Sequence, residues 1–234
     1  MAKVVKRQAT PKAAQKGTNW YLIGGVIVAG VVALFALLYL SLQQPEPVNL
    51  LDYCNSNPQR CVFEGDENAP VTVIEVSDYA CSACANFNLT VADQIRETYV
   101  NTGQVRWVHL PYSLPQFESR SVPTSMAALC IADQDTTGDL FYPFHLGMFR
   151  IQTSDVAFQR AGFDQVAEEI GADLDKLDQC LEEGRFRSDV NANLDAVRLA
   201  GVNSTPSFVI DGQVYTNIGS FQQIQQLIEP RLGQ

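Results

Sequence analysis

Cys81-Ser82-Ala83-Cys84 stands where an apolar, β-rich run from Val71 to Val76 ends and a helix-like run from Ala85 to Val100 begins. Two thiols separated by two residues at the start of a helix can close a small disulfide ring. One of them meets the helix dipole and the unpaired backbone N–H groups of the first turn. The junction therefore requires a strand that feeds straight into a helix, and it predicts a redox pair.

A second constraint lies upstream. Lys3, Lys6, Arg7, Lys12 and Lys16 precede an uncharged run from Trp20 to Leu42, and no acid appears before Glu46. A helix needs about 20 apolar residues to cross the hydrocarbon. This run is long enough and carries Trp20, Tyr21 and Tyr39 near the two interfaces. A cleavable signal peptide would have an apolar core of about 7 to 15 residues and a small-residue cleavage site, and Ser41-Leu42-Gln43-Gln44 offers none. The expectation is a single-pass cell-membrane anchor with a cytoplasmic N-terminus. Everything after about Gln43 then lies outside the cytoplasm, in the periplasm or at the cell exterior.

Five of the 16 basic residues precede the span, leaving 11 against all 26 acidic residues, a formal charge of −15 on the exported part. Such a surface is soluble and argues against nucleic acid, which rewards basic faces. With 46% hydrophobic and 18% charged residues over its 234 positions, the chain can build a core, and its exported part fits one domain of ordinary size. Six cysteines in an oxidising compartment fit three disulfides, with the pairing open at this level.

Punctuation and periodicity divide the chain into a basic N-terminus (1–19), a transmembrane helix (20–42), a tether with a Cys54/Cys61 loop (43–68), an α/β part (69–120), a helical insertion (121–202) and a second α/β part (203–234). Val71 to Val76 is expected to be a buried central strand and Val105 to Leu110 a second strand. Between Ser121 and Val202 only helical periodicity appears, broken near Thr136 to Gly138, Gln152 to Asp155 and Gly171 to Asp173. Ser207 to Ile210 and Gln213 to Thr216 flank Asp211-Gly212, which suits a type I′ hairpin, and Ser220 can cap a last helix.

Strand, helix, strand, helical block, hairpin, helix is the order of a thioredoxin fold interrupted in its middle. VSDYACSACANF at 76–87 resembles the active-site segment of the DsbA-like thiol-disulfide oxidoreductases, and VNSTPSFVIDG at 202–212 resembles their cis-proline loop. The resemblance covers roughly residues 69–233. It implies an α/β thioredoxin-like fold with an inserted α-helical domain, here preceded by the transmembrane helix.

Cys81, nearest the helix N-terminus, is expected to be the more exposed thiol with the lower pKa, and Cys84 the resolving thiol one turn inside. Glu75 either pairs at a strand edge or is buried with a raised pKa. The resemblance, which places an acid there, favours a proton relay to Cys84. It likewise implies that Thr205-Pro206 is a cis peptide offering backbone hydrogen bonds to an extended substrate, against the plain reading of a strand-entry proline. It also implies that Cys130 and Cys180 staple the insertion. Cys54 and Cys61 lie outside the shared pattern, as a plain staple or as a second redox pair that relays electrons. The intervening dipeptide is Ser82-Ala83, where strongly oxidising members often carry Pro-His or Pro-Tyr, and it supplies no imidazole to hold a thiolate.

His109 and His145 neighbour neither cysteine motif in sequence and are expected to be structural. The sequons at Asn88 and Asn203 are discounted, the second because it sits in the proposed active-site loop. The favoured function is a membrane-tethered oxidase that donates disulfides to reduced exported proteins. The resemblance implies that a quinone-coupled membrane partner, DsbB-like or vitamin K epoxide reductase-like, reoxidises it. No cofactor and no metal are expected. The alternatives are a reductase or isomerase of the same fold and, remotely, a zinc module held by Cys54, Cys61, Cys81 and Cys84.

Overall fold

The computed structural model describes residues 19–42, 47–135 and 139–233. The basic segment Lys3 to Lys16 and the loop expected at Thr136 to Gly138 lie outside the described residues. The chain forms two compact units divided after Pro45. The first holds α1, Trp20–Leu42, whose 23 residues bury no side chain. At ~1.5 Å per residue it is about 35 Å long, enough to cross a membrane.

The second unit is built on five strands, β1 Val62–Glu64, β2 Val71–Ser77, β3 Val105–Pro111, β4 Ser207–Ile210 and β5 Gln213–Thr216. They lie in the order β1-β3-β2-β4-β5, so β2 is central. Its near-continuous apolar run follows from burial on both faces. β2 and β3 are parallel, with Glu75 opposite His109, and the other pairs are antiparallel. The hairpin turn has Asp211 at φ 52° and Gly212 at φ 75°, the two left-handed positions a type I′ turn needs.

One face of β2 packs Val71 and Val73 with Phe87, Ile95, Phe208, Ile224 and Ile228. These come from α3 Ser82–Thr90, α4 Ala92–Ile95, β4 and α10 Phe221–Leu232. Ser220 caps α10 by accepting from Gln223 N–H. The run from Ala85 to Val100 is not one helix. It breaks at Val91 (φ −122°, ψ −38°) and ends in a wide turn at Arg96–Val100. Thr90 Oγ1 bonds back to Asn86 O at 2.7 Å, and β-branched Val91 turns into the core instead of continuing the helix.

The other face of β2, Ile74 and Val76, packs with Val108, Leu110, Val197, Leu50, Cys54 and Cys61. The segment expected as a tether is therefore folded from residue 50 onward. α2, Leu50–Ser56, carries Leu50 and Cys54 at an i, i+4 spacing that puts both against the sheet, and β1 joins the sheet edge. Polar bonds hold it there as well: Tyr53 OH donates to Asn193 at 2.8 Å, Asn193 Nδ2 donates to Arg60 O at 2.9 Å, and Arg60 pairs with Asp189 at 2.9 Å.

The insertion comprises α5 Glu118–Ala132, α6 Phe141–Arg150, α7 Arg160–Glu169, α8 Leu174–Glu182 and α9 Arg187–Leu199. Its core gathers Met126, Leu129, Phe144, Met148, Phe163, Val166 and Leu177, and also takes in Tyr79, Cys81 and Cys84. The cysteine pair thus sits where the insertion meets the sheet. Cys130–Cys180 joins α5 to α8 across a sequence separation of 50.

Candidate active site

Cys81 is the N-cap of α3 and Cys84 lies in its first turn. Both thiols are unbonded. Cys81 is 9% exposed and Cys84 fully buried, while Ser82 and Ala83 between them face solvent. A hydrogen bond from the Cys84 thiol lowers the Cys81 pKa from its ordinary value of 9.0 to about 5. Thr205 and the N–H groups of Cys84 and Ala83 add to this against the opposing effect of burial. The same pairing, after burial itself, pushes the Cys84 thiol well up. The sequence expected this asymmetry from the helix dipole. The structure adds that the neighbouring thiol is its largest cause.

Thr205-Pro206 is a cis peptide. Thr205 O lies 3.4 Å from Cys81 Sγ, which brings together two motifs 124 residues apart in sequence. The Thr205 hydroxyl is buried without a hydrogen-bond partner.

Two groups that the sequence reading passed over frame this loop. Asp78 N–H points at Cys84 Sγ at 3.5 Å. Its buried carboxyl accepts from Ala80 N at 2.8 Å, Leu114 N at 2.7 Å and the Ser121 hydroxyl. Burial nonetheless leaves its pKa above the ordinary value. Gln152 Nε2 reaches in from the insertion to donate to Tyr79 O at 2.7 Å and Cys81 O at 3.1 Å. Asp78 lies inside the quoted motif as its only charged residue, a visible signal. Gln152, about seventy positions away, gives none.

Glu75 is fully buried in β2. Asn88 Nδ2 donates to its Oε1 at 2.7 Å, and Trp107 Nε1 donates to its Oε2 at 3.1 Å. Asn88 also donates to Cys84 O at 3.1 Å, which links the acid to the first turn of α3. With Asn88 99% buried, its sequon cannot be glycosylated in the folded chain, in line with its being discounted.

Both histidines lie beside this acid in space, although both are remote from the cysteines in sequence. His145 Nδ1 is 2.8 Å from Tyr79 OH and its Nε2 is 3.0 Å from Asn88 Oδ1. Burial, then the nearby His109, holds His145 far below its ordinary pKa, so it is neutral. Burial and the Glu75 charge raise the Tyr79 phenol, which keeps its proton. One assignment satisfies every atom: Tyr79 O–H donates to Nδ1, Nε2–H donates to Asn88, and Asn88 donates to Glu75.

Glu75, His109 and His145 bring ligand atoms within 4.8 Å of one another. Both His145 nitrogens are engaged by Tyr79 and Asn88, so the cluster is closed by hydrogen bonds and not shaped for a metal ion. The four-thiolate zinc module fails outright. Cys54 and Cys61 are bonded to each other and packed on the α2 and α9 face of the sheet, in a different cluster from Cys81 and Cys84.

A family model described as thioredoxin matches residues 57–230. Disulfide bond formation protein D of Bacillus subtilis is 24% identical over 171 residues, covering 72% of this chain and 75% of that protein. The Na(+)/H(+) antiporter NhaA 1 of Mycobacterium sp. (strain KMS) is 24% identical over 196 residues, but the match spans only 30% of that protein. Among solved structures, oxidised BdbD from Bacillus subtilis superposes with a TM-score of 0.64 at 22% identity, over 74% of this chain and 92% of that one. Alpha-DsbA1 of Wolbachia pipientis gives 0.63 at 19% identity, over 73% and 90%.

Proposed function

The chain belongs to the thioredoxin family as a DsbA-like thiol-disulfide oxidoreductase, and from that premise we propose that it runs as an oxidase, forming disulfides in reduced proteins outside the cytoplasm. The observation that carries the direction is the pKa split at one helix end: Cys81 near 5, Cys84 pushed up. A sulfur with a low pKa is a good leaving group, and stabilising it favours the reduced enzyme, so electrons flow from client to enzyme.

A client thiolate attacks Sγ of Cys81 in the Cys81–Cys84 disulfide, and Cys84 leaves and takes up a proton. A second client thiolate then attacks the client sulfur of the mixed disulfide and expels Cys81 as a thiolate. The client leaves oxidised and the enzyme holds two electrons more. Glu75 supplies and removes the Cys84 proton. Thr205 and Pro206 align an extended client segment beside Cys81.

Helix α1 tethers the acidic domain to the membrane with its basic end in the cytoplasm. A quinone-coupled membrane protein takes the two electrons and restores the disulfide. Cys130–Cys180 staples the insertion, and Cys54–Cys61 clips α2 to the sheet.

Equilibration of the full-length protein with glutathione tests the direction. An oxidase is expected near the potential of about −120 mV typical of DsbA. A value near the roughly −270 mV of thioredoxin assigns the chain to reduction instead.

A further inference from the structure

Sheet register, and nothing local in sequence, places a third and a fourth titratable group in line with Glu75. His109 faces Glu75 across the β2–β3 ladder. Glu64, opposite Trp107 in the β1–β3 pair, is one diagonal step from His109 on the same face. His109 Nε2 lies 2.8 Å from Glu64 Oε2, and His109 Nδ1 lies 3.7 Å from Glu75 Oε2. Glu64 is also held by Arg96 at 2.9 Å and borders an open groove of about 920 Å³ at the β1 edge.

Side-chain contacts connect this row from Glu75 to the groove. Burial raises the Glu64 carboxyl, but His109 and Arg96 outweigh it and hold the group below its ordinary pKa, so Glu64 is a carboxylate. The Glu64 carboxylate accepts from His109 Nε2 at 2.8 Å, and the other ring nitrogen, Nδ1, is turned toward Glu75 at 3.7 Å. That Nδ1 is buried and has no hydrogen-bond partner. Both hydrogen-bonded partners of Glu75, Asn88 and Trp107, are donors. Of the side chains around Glu75, His109 is the one that connects it onward to a second titratable group, Glu64. The void between Glu64, Trp107, His109 and Tyr142 is about 10 Å³, space for one water at most.

We propose that His109 and Glu64 are the proton outlet of Glu75, carrying the proton exchanged at Cys84 to the groove at the β1 edge, away from the face where clients bind. The inference rests on the reading of Glu75 and Cys84 given above. Client binding covers the Cys81 and Thr205 side, and Cys84 itself has no exposure, so a route through the sheet lets proton and client move independently.

During reoxidation, the membrane partner's disulfide is attacked by Cys81, and Cys84 then displaces the partner's sulfur, which leaves with two electrons. Cys84–SH gives its proton to Glu75, Glu75 gives it to His109 Nδ1, and His109 releases the proton on Nε2 to Glu64 and the groove. The ring is left with its proton on Nδ1. The next client step needs a proton at Cys84, and the same row runs inward: Nε2 accepts from Glu64 and Nδ1 donates to Glu75. Each turnover contains one passage out and one in, so the imidazole returns to its starting tautomer without rotating.

The groups facing His109 are Glu64 from β1, Glu75 from β2, and Tyr142 and His145 from α6, with Arg96 behind Glu64. His145 has no part in the path, since both its nitrogens are bonded within the Tyr79–Asn88 chain.

The test uses full-length protein in detergent and follows both half-reactions of the Cys81–Cys84 couple, oxidation by glutathione disulfide and reduction by dithiothreitol. His109→Ala and Glu64→Gln are each expected to slow both half-reactions about tenfold, less than the hundredfold or more of an acid acting directly on the reacting atom. Added imidazole is expected to restore His109→Ala, because a diffusible base replaces the lost ring, a rescue that a merely structural role for His109 would not give. Wild-type rates in both variants, or a slow His109→Ala indifferent to imidazole, overturn the outlet. If His109→Ala does not fold, His109→Gln and Glu64→Gln decide the matter, with loss of the solvent isotope effect on the Cys84 step in both supporting the outlet and its retention opposing it. A wild type unable to exchange with either reagent overturns the proposed function itself, a different result from active wild type with unaffected variants.

Discussion

Cys54–Cys61 and Cys81/Cys84 are both short-range cysteine pairs in the same unit, yet their surroundings are opposite. Cys54 is fully buried near the C-terminal end of α2, where its own carbonyl accepts from Asn57 N–H. Carbonyl ends disfavour a thiolate. Cys61 is 4% exposed, and the pair is bonded and packed against Ile74 and Val108. Cys81 instead stands at a helix N-terminus with two N–H groups, a second thiol and Thr205 turned toward its sulfur. Spacing alone does not separate a proposed redox pair from a proposed staple; the end of the helix that the sulfur occupies does.

The most severe way to break this comparison is mutation. Cys81→Ala is expected to abolish client oxidation, whereas Cys54→Ser combined with Cys61→Ser retains it. Cys84→Ala is expected to accumulate mixed disulfides visible on a non-reducing gel. Adducts on Cys81→Ala and none on Cys84→Ala reverse the two roles.

Acidity gives the next largest contrast. Alkylation of Cys81 is expected to be half-maximal near pH 5, its folded pKa being about 5 against 9.0 for an unperturbed thiol. Because the folded value is the lower one, the reduced folded state binds fewer protons than the unfolded state between these limits. The reduced form therefore gains stability as pH rises from about 5 toward 9 and loses it as pH falls through 5. The oxidised form, lacking the titrating thiol, shows no such dependence on pH. Urea midpoints of both forms across this range check it, and a reduced-minus-oxidised difference independent of pH contradicts the thiolate assignment.

Much of this was legible in the sequence because it depends on local pattern. The β2-to-α3 junction, the Asp211-Gly212 turn, the Ser220 cap and the helical insertion each follow from residues within a dozen positions. What escaped depends on register and on packing between distant segments. The sequence reads 43–68 as a tether with a Cys54/Cys61 loop, punctuated by Pro45 and Pro47; the i, i+4 pair Leu50 and Cys54 within it needs the sheet face to be recognised. Nothing near His109 or Glu64 advertises Glu75, since only the β1-β3-β2 order puts them in a row. The π-type turn at Arg96–Val100 was hidden for the same reason: Arg96 turns to meet Glu64 at 2.9 Å and lies 3.6 Å from the Tyr142 ring centroid.

The smallest effect sharpens the comparison most, because it asks whether Cys54–Cys61 does anything beyond holding the chain. On loop-closure entropy alone, a separation of 7 predicts a loss of about 2 kcal/mol when both cysteines become serine, and a separation of 50 for Cys130–Cys180 predicts about 4. Both pairs are expected to lower the urea midpoint in that order, with the pKa of Cys81 unmoved, since neither pair contributes to it. A second redox pair behaves differently: its removal slows reoxidation of Cys81 and Cys84 while the midpoint stays put. The burial of Cys54 and Cys61 argues for the first pattern, because a sulfur sealed between α2 and the sheet cannot meet an incoming thiolate unless α2 first lifts away. Such lifting has to break the Tyr53–Asn193 and Arg60–Asp189 contacts, so Asn193→Ala should make the Cys54–Cys61 bond easier to reduce and leave exchange at Cys81 unchanged.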